Sequence, residues 1–290
     1  MSRKRFGAGA VLAAVLLAGC AAAGEFVVDN GSFRVEFVDP NDPQLGCRFL
    51  RAGWITGLYP AGSRESIFVT ESLFGFHPAF GYACEIYPAL DLKGVQALQI
   101  GVGVIERHPQ SRYHSRPVEL FPWQISREMR ERETVMTARQ HSGDHSGYAY
   151  ELTVEIVIPA NSPVILWKYS LANTGSRPFA VSTYAHPFFK ARPGFPGGWY
   201  ALPGGKRQPV AALPPEKTLE ATEIPQDCWA IAAGGLTSGG YVAVISADRP
   251  FNRIDLWRSE TDCFAVEPYL PLNLAPGECR EWSWRLEIRR

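Results

Sequence analysis

Net charge is the first thing this 290-residue sequence lacks, since Lys+Arg and Asp+Glu both number 29. Without a basic field, the chain has no means of drawing in nucleic acid. No apolar run beyond residue 20 reaches the length of a membrane span, so the body reads as soluble. A clean 3.6-residue apolar period is missing from every window of a dozen residues, which argues against a helical bundle. Ile125 to Arg139 comes nearest, but charges dominate it, and it reads as two edge strands joined by a turn. βαβ alternation, internal repeats and low-complexity linkers are absent too, which makes one domain the simpler organisation. No two of the six cysteines have C-x-x-C spacing, so a zinc ribbon or a thioredoxin-like motif is unsupported.

What is present is alternation. Ser32 to Val38 alternates apolar and polar residues as a half-buried strand does, and Asp39-Pro40-Asn41-Asp42-Pro43 closes it as a turn. Similar units recur at 134–140, 148–158, 164–172, 178–184, 241–246, 253–258 and 282–288. Breakers such as Ser142-Gly143-Asp144, Asn173-Thr174-Gly175 and Ala275-Pro276-Gly277 separate them. With 8 Trp, 11 Tyr, 16 Phe and 23 Pro, the composition suits β-structure with long loops. Many antiparallel strands without intervening helices predict a large sandwich of sheets.

The first residues have a different character. Arg3, Lys4 and Arg5 precede an apolar stretch from Gly7 to Ala18, the charged and apolar regions of an export signal. Leu17-Ala18-Gly19-Cys20 resembles the bacterial lipobox, in which the Cys thiol is alkylated by a diacylglycerol and the chain is cut just before it. The competing reading is an ordinary signal peptide that happens to contain a Cys. The expected organisation is therefore a signal at 1–19, a tether at 20–24 and a domain over 25–290. A lipid on Cys20 would hold the protein at a membrane surface, each buried methylene contributing about 0.8 kcal/mol. Ala rather than Asp at position 21 fits outer-membrane sorting, with the protein on the periplasmic face. Five cysteines besides Cys20 remain after processing, an odd number, and Cys263 with Cys279 is the preferred disulfide.

Two segments carry chemistry: Ser182-Thr183-Tyr184-Ala185-His186-Pro187-Phe188-Phe189, and Cys263-Phe264-Ala265-Val266-Glu267-Pro268-Tyr269-Leu270-Pro271 with its Pro276-Gly277-Glu278 turn. In order, spacing and β setting they resemble the galactose mutarotase-like superfamily, the aldose 1-epimerases, most clearly from Tyr148 onward. The resemblance implies an all-β, antiparallel β-supersandwich with His186 and Glu267 in the two catalytic positions, and no metal or organic cofactor. That family also has a substrate-binding His in a His-Gly-Gly context. This sequence has no His-Gly-Gly, and His77, in Phe76-His77-Pro78, is the substitute by position.

The residue types fit the implied reaction. Interconverting sugar anomers requires a base at the C1 hydroxyl and an acid at the ring oxygen, roles open to the Glu267 carboxylate and the His186 imidazolium. A pair serving one sugar must lie within about 10 Å and face one cleft. Asp255 and Arg253 could reach a sugar hydroxyl, or form an edge ion pair. Trp199, Tyr184 and Trp257 could stack on a pyranose, or fill the core. His141-Ser142-Gly143-Asp144-His145 has metal-ligand residue types but reads better as a solvated hairpin tip. The charged run Arg127 to Arg139 reads better as a solvated face than as a site for anionic sugars. Gly194 to Gly205 reads as a long loop after His186. The expected partner is a carbohydrate, either a monosaccharide or the sugar end of a glycan. The rival expectations are a sugar-binding lipoprotein without turnover, and an envelope assembly protein with no concave polar site around His186.

Overall fold

The computed structural model describes residues 26–70, 80–109, 114–221 and 224–290. The signal at 1–19, the tether at 20–24, Cys20 and His77 all lie outside the described residues. Four strands open the first sheet: β1 (Phe26–Asp29), β2 (Phe33–Phe37), β3 (Ile55–Pro60) and β4 (Tyr82–Tyr87). A small sheet follows, of β5 (Leu90–Asp91), β6 (Gln96–Gln99), β7 (Gly103–Glu106) and β8 (Arg116–Leu120). A second large sheet begins with the meander β9 (Gln124–Arg130), β10 (Glu133–His141), β11 (Tyr150–Pro159) and β12 (Val164–Asn173).

The chain then alternates between the two large sheets. It returns to the first with β13 (Phe179–Pro187) and β14 (Phe189–Lys190), and crosses to the second with β15 (Trp199–Ala201) and β16 (Gln208–Pro209). β17 (Leu219–Glu220) belongs to the first sheet, and β18 (Ala230–Leu236) and β19 (Tyr241–Ala247) to the second. β20 (Arg253–Arg258) and β21 (Cys263–Leu274) complete the first, and β22 (Cys279–Arg289) enters the second. The first sheet runs β1-β2-β3-β4-β13-β21-β20-β17, with β14 against β21, and the second runs β16-β15-β18-β19-β22-β12-β11-β10-β9. The antiparallel sandwich expected from the alternation is what forms.

The core lies between the large sheets and follows from period 2. From the first sheet, Ile86, Val181, Ile254, Val266, Leu270 and Leu272 point into it; from the second, Leu152, Val154, Ile156, Trp167, Leu171, Trp284 and Leu286 do. Trp54, Trp167 and Trp284 are fully buried. Fully burying side chains of this kind stabilises the fold by roughly 1.5–3 kcal/mol apiece. Gly81 begins the approach to β4 at φ 75°, where a Cβ would stand 1.7 Å from the Ile55 carbonyl oxygen, so only glycine fits.

Several expectations change in detail. The charged segment 125–139 does form two strands, but only β9 is an edge, since β10 is flanked by β9 and β11. β9 is exposed, with Arg130 and Glu128 3.0 Å apart, so the charged run is solvated. His141 to His145 makes the turn into β11, with His145 Nε2 2.9 Å from the Ser142 carbonyl oxygen. The 194–205 loop contains β15. The Cys263–Cys279 disulfide does not form, and both thiols are free. Cys263 opens the twelve-residue β21 and Cys279 follows its far end. About 36 Å of extended strand therefore separates two residues whose Cα atoms would need to lie within about 7 Å. Among the described residues, no helix is long and apolar enough to cross a membrane.

Candidate functional site

Every residue that the first sheet does not send into the core, it sends to its outer face, and there the register lines up polar side chains in rows. Tyr184 on β13 lies opposite Glu85 on β4 and Tyr269 on β21, and Tyr269 lies opposite Arg253 on β20. One step along, His186 is opposite Ala83, Glu267 is opposite Asp255, and Asp255 is opposite Glu220 on β17. Four strands distant in sequence thus deliver Glu85, Tyr184, His186, Glu267, Tyr269, Asp255 and Arg253 to one surface.

That surface is roofed. The connection between β2 and β3 folds back over it, placing Val38, Leu45, Phe49 and Trp54 in a small apolar cluster with Ala83, Phe188 and Cys263. The roof explains why charged groups here are buried: Arg48, Glu85, His186, Asp255 and Glu267 are each at most 4% exposed. What stays open is a cleft of about 450 Å³ lined by Arg48, His186, Asp255, Trp257, Glu267 and Tyr269, with Glu216 and Thr218 from the approach to β17 also lining it.

At its floor, His186 Nε2 lies 3.3 Å from Glu267 Oε1. The imidazole is fixed by aromatic rings: Phe188 stacks on it at 4.2 Å between centroids and Phe49 meets it edge-on at 5.3 Å. The other carboxylate oxygen, Oε2, is 3.5 Å from the Tyr269 hydroxyl, which is also 3.3 Å from Asp255 Oδ2. Arg253 grips Asp255 with two hydrogen bonds of 2.7 Å, and this grip holds its guanidinium even more firmly protonated than usual. Tyr269 stacks on Tyr184 at 4.4 Å, and Arg253 lies over the Tyr269 ring.

A second knot backs the first. Arg48 Nε donates to Glu85 Oε2 at 2.8 Å and its Nη2 donates to the Tyr184 hydroxyl at 2.9 Å, while that hydroxyl donates to Glu85. Each charge removed from water here meets an opposite charge and further hydrogen bonds, the condition on which a buried pair is tolerated.

The expected site residues divide cleanly. The structure brings His186, Glu267, Asp255, Arg253, Tyr184 and Trp257 to this one face, and all but Tyr184 and Arg253 line the cleft itself. The His186–Glu267 contact meets the distance requirement for a shared sugar. Trp199 is elsewhere: it pairs with Gly234 in the second sheet, under the Arg207 guanidinium at 4.2 Å, so its place in the site is withdrawn. Arg48, Glu85, Tyr269, Phe188 and Glu216 were not anticipated. Period 2 alone could have found Tyr269, two residues beyond Glu267 on the same strand face. Nothing local announces Arg48, which reaches Tyr184 across 136 residues.

The arrangement puts a carboxylate and an imidazole in contact at the bottom of a cleft with aromatic walls, residue types able to exchange protons with a bound molecule. The chain has the galactose mutarotase-like fold. It is similar to the Slr1438 protein from Synechocystis, at TM-score 0.63 and 16% identity over 92% of this chain and 96% of that one. A galactose mutarotase-like protein from Lactobacillus casei matches at TM-score 0.61 and 10% identity, over 92% of this chain and 100% of that one. A putative aldose 1-epimerase from Escherichia coli matches at TM-score 0.55 and 15% identity, over 91% and 98%. No family model matches the sequence, and no curated protein matches it.

Proposed function

We propose that this protein acts on carbohydrate as an aldose 1-epimerase-like isomerase. The observation that carries the reading is the His186–Glu267 contact of 3.3 Å at the floor of an open, aromatic-walled cleft. Glu267 takes the proton from the C1 hydroxyl while His186, as imidazolium, protonates the ring oxygen, and the C1–ring oxygen bond breaks to give the open aldehyde. After rotation about C1–C2, neutral His186 takes the C5 hydroxyl proton as that oxygen attacks C1, and Glu267 returns its proton to O1. The other anomer results and both residues regain their starting states. An entering sugar must separate the pair, placing its O1 and ring oxygen between the two groups. Trp257 and Tyr269 offer apolar surface to the ring, and Asp255, hydrogen-bonded to Arg253, can accept from a hydroxyl.

Polarimetry of freshly dissolved aldose anomers tests this. The wild type should speed equilibration over the spontaneous rate, and His186→Ala and Glu267→Ala should each lose on the order of 10²–10⁴-fold. Equal rates in the three proteins would sink the catalytic reading.

A second reading, sugar binding without turnover, is favoured by one feature: Asp255 and Glu267 already have Arg253, Tyr269 and His186 as partners within the protein. It predicts saturable sugar binding by a wild type that leaves the spontaneous rate unchanged. The N-terminal lipid belongs to the proposal as well, and rests on the sequence alone. It tethers the cleft to the cell envelope through Cys20, on the periplasmic face of the outer membrane, and a Cys20→Ala variant should lose incorporation of a labelled fatty acid.

A further inference from the structure

Among the described residues, the buried charges of the cleft each meet a partner of opposite sign. Arg48 answers Glu85 at 2.8 Å, Arg253 answers Asp255 at 2.7 Å, and His186 answers Glu267 at 3.3 Å. Glu220 stands 3.7 Å from the same Arg253. Glu216 is exposed and stands outside these contacts. It lines the cleft, as His114 does, and its carboxylate makes no hydrogen bond or ion pair with any described residue. Its backbone is fixed nonetheless: the residue follows Pro214-Pro215, adopts φ 56°, and donates its N–H to the Arg258 carbonyl oxygen at 2.9 Å. Lys217, its neighbour in the chain, does not line the cleft.

We propose that Glu216 selects a sugar bearing a protonated amino group, so that the substrate of this site is a hexosamine. The inference rests on the carbohydrate reading and deepens it. An ammonium group on the sugar gives the Glu216 carboxylate a partner of opposite charge, and it brings donors to a group that offers only acceptors. A phosphorylated or carboxylated sugar would add a negative charge beside Glu216 and Glu267. The single arginine among the described lining residues already faces Glu85 and Tyr184.

Isothermal titration of the wild type and Glu216→Gln with glucosamine, galactosamine and mannosamine, each against its parent hexose and its N-acetyl derivative, tests the assignment. N-acetylation keeps the substituent and removes its charge. At least one free amine should bind the wild type about fivefold more tightly than both of its neutral counterparts, a ratio suited to an exposed charge pair. Glu216→Gln should abolish that preference and leave hexose binding within about twofold, since the carboxylate holds nothing else in place. Neutral hexoses that bind while no amine is preferred would overturn this inference and leave the carbohydrate reading intact. A preference that survives in Glu216→Gln would also overturn it. If no sugar of any class bound, the carbohydrate reading would fall and this inference with it.

Discussion

The two large sheets both carry charge pairs on their outer faces, laid down by the same period-2 alternation, yet the pairs live in different solvents. On the second sheet, Lys168 lies 2.8 Å from Glu155 and Glu287 sits between Arg285 and Arg289, at 2.6 and 2.7 Å, all with water at hand. On the first sheet, Arg48–Glu85 and His186–Glu267 have comparable separations under the roof made by residues 38–54. Distance is therefore a poor guide to what a charge pair is worth. The covering segment turns one face into a site and leaves the other as a solvated surface.

The comparison can be broken most directly at Glu85. Glu85→Ala leaves Arg48 buried without its carboxylate, and urea unfolding should show a loss of about 3–5 kcal/mol. The double replacement Arg48→Met with Glu85→Leu should recover much of that loss, because the cost lies in the stranded charge. Removing the Tyr269 hydroxyl with Tyr269→Phe keeps the stacking on Tyr184 and should cost about 1 kcal/mol. Because the hydroxyl touches Oε2 of Glu267, the same change should lower sugar turnover in the polarimetric assay while leaving the fold intact.

Glu287→Gln should cost less, under about 1 kcal/mol, since its arginines and water compensate each other. The hydrogen bond from Arg289 is the main reason that the Glu287 carboxyl is lowered to about 2, with Arg285 assisting. A lowered carboxyl stabilises the fold above its unfolded value. That stability should fade as pH drops toward about 2, and it should be absent from the pH profile of Glu287→Gln. A Glu287→Gln loss as large as that of Glu85→Ala would end the contrast between the faces. Thiol labelling sharpens it with the least perturbation. Burial pushes Cys47 up to about 11 and Cys84 up to about 12, so both should resist a disulfide reagent in the native state, whereas exposed Cys279 reacts.

The longer strands were legible because they obey period 2 over six residues or more: the expected unit at 253–258 is β20, and 164–172 is β12 within a residue. Short strands such as β5, β14 and β17 span two residues each, too few to display any period. The core of the site was legible too, since His186 and Glu267 lie on long strands in recognisable contexts. Arg48 was not, because a loop delivers it, and a loop residue's destination depends on the packing of Phe49 and Trp54 beneath it. Trp199 misled for a related reason: an aromatic near a Gly-rich loop says nothing about which sheet it will join. The disulfide expectation failed because sequence proximity ignored the rigid length of β21.

The place of β22 has a consequence for how the chain is made. It lies between β19 and β12, so the second sheet consists of two separate halves until residues 279–289 have emerged from the ribosome. At about 5–20 residues per second, β12 waits several seconds for the strand that pairs with its open edge. Such a chain joins the two halves of its second sheet only after β22 has been made.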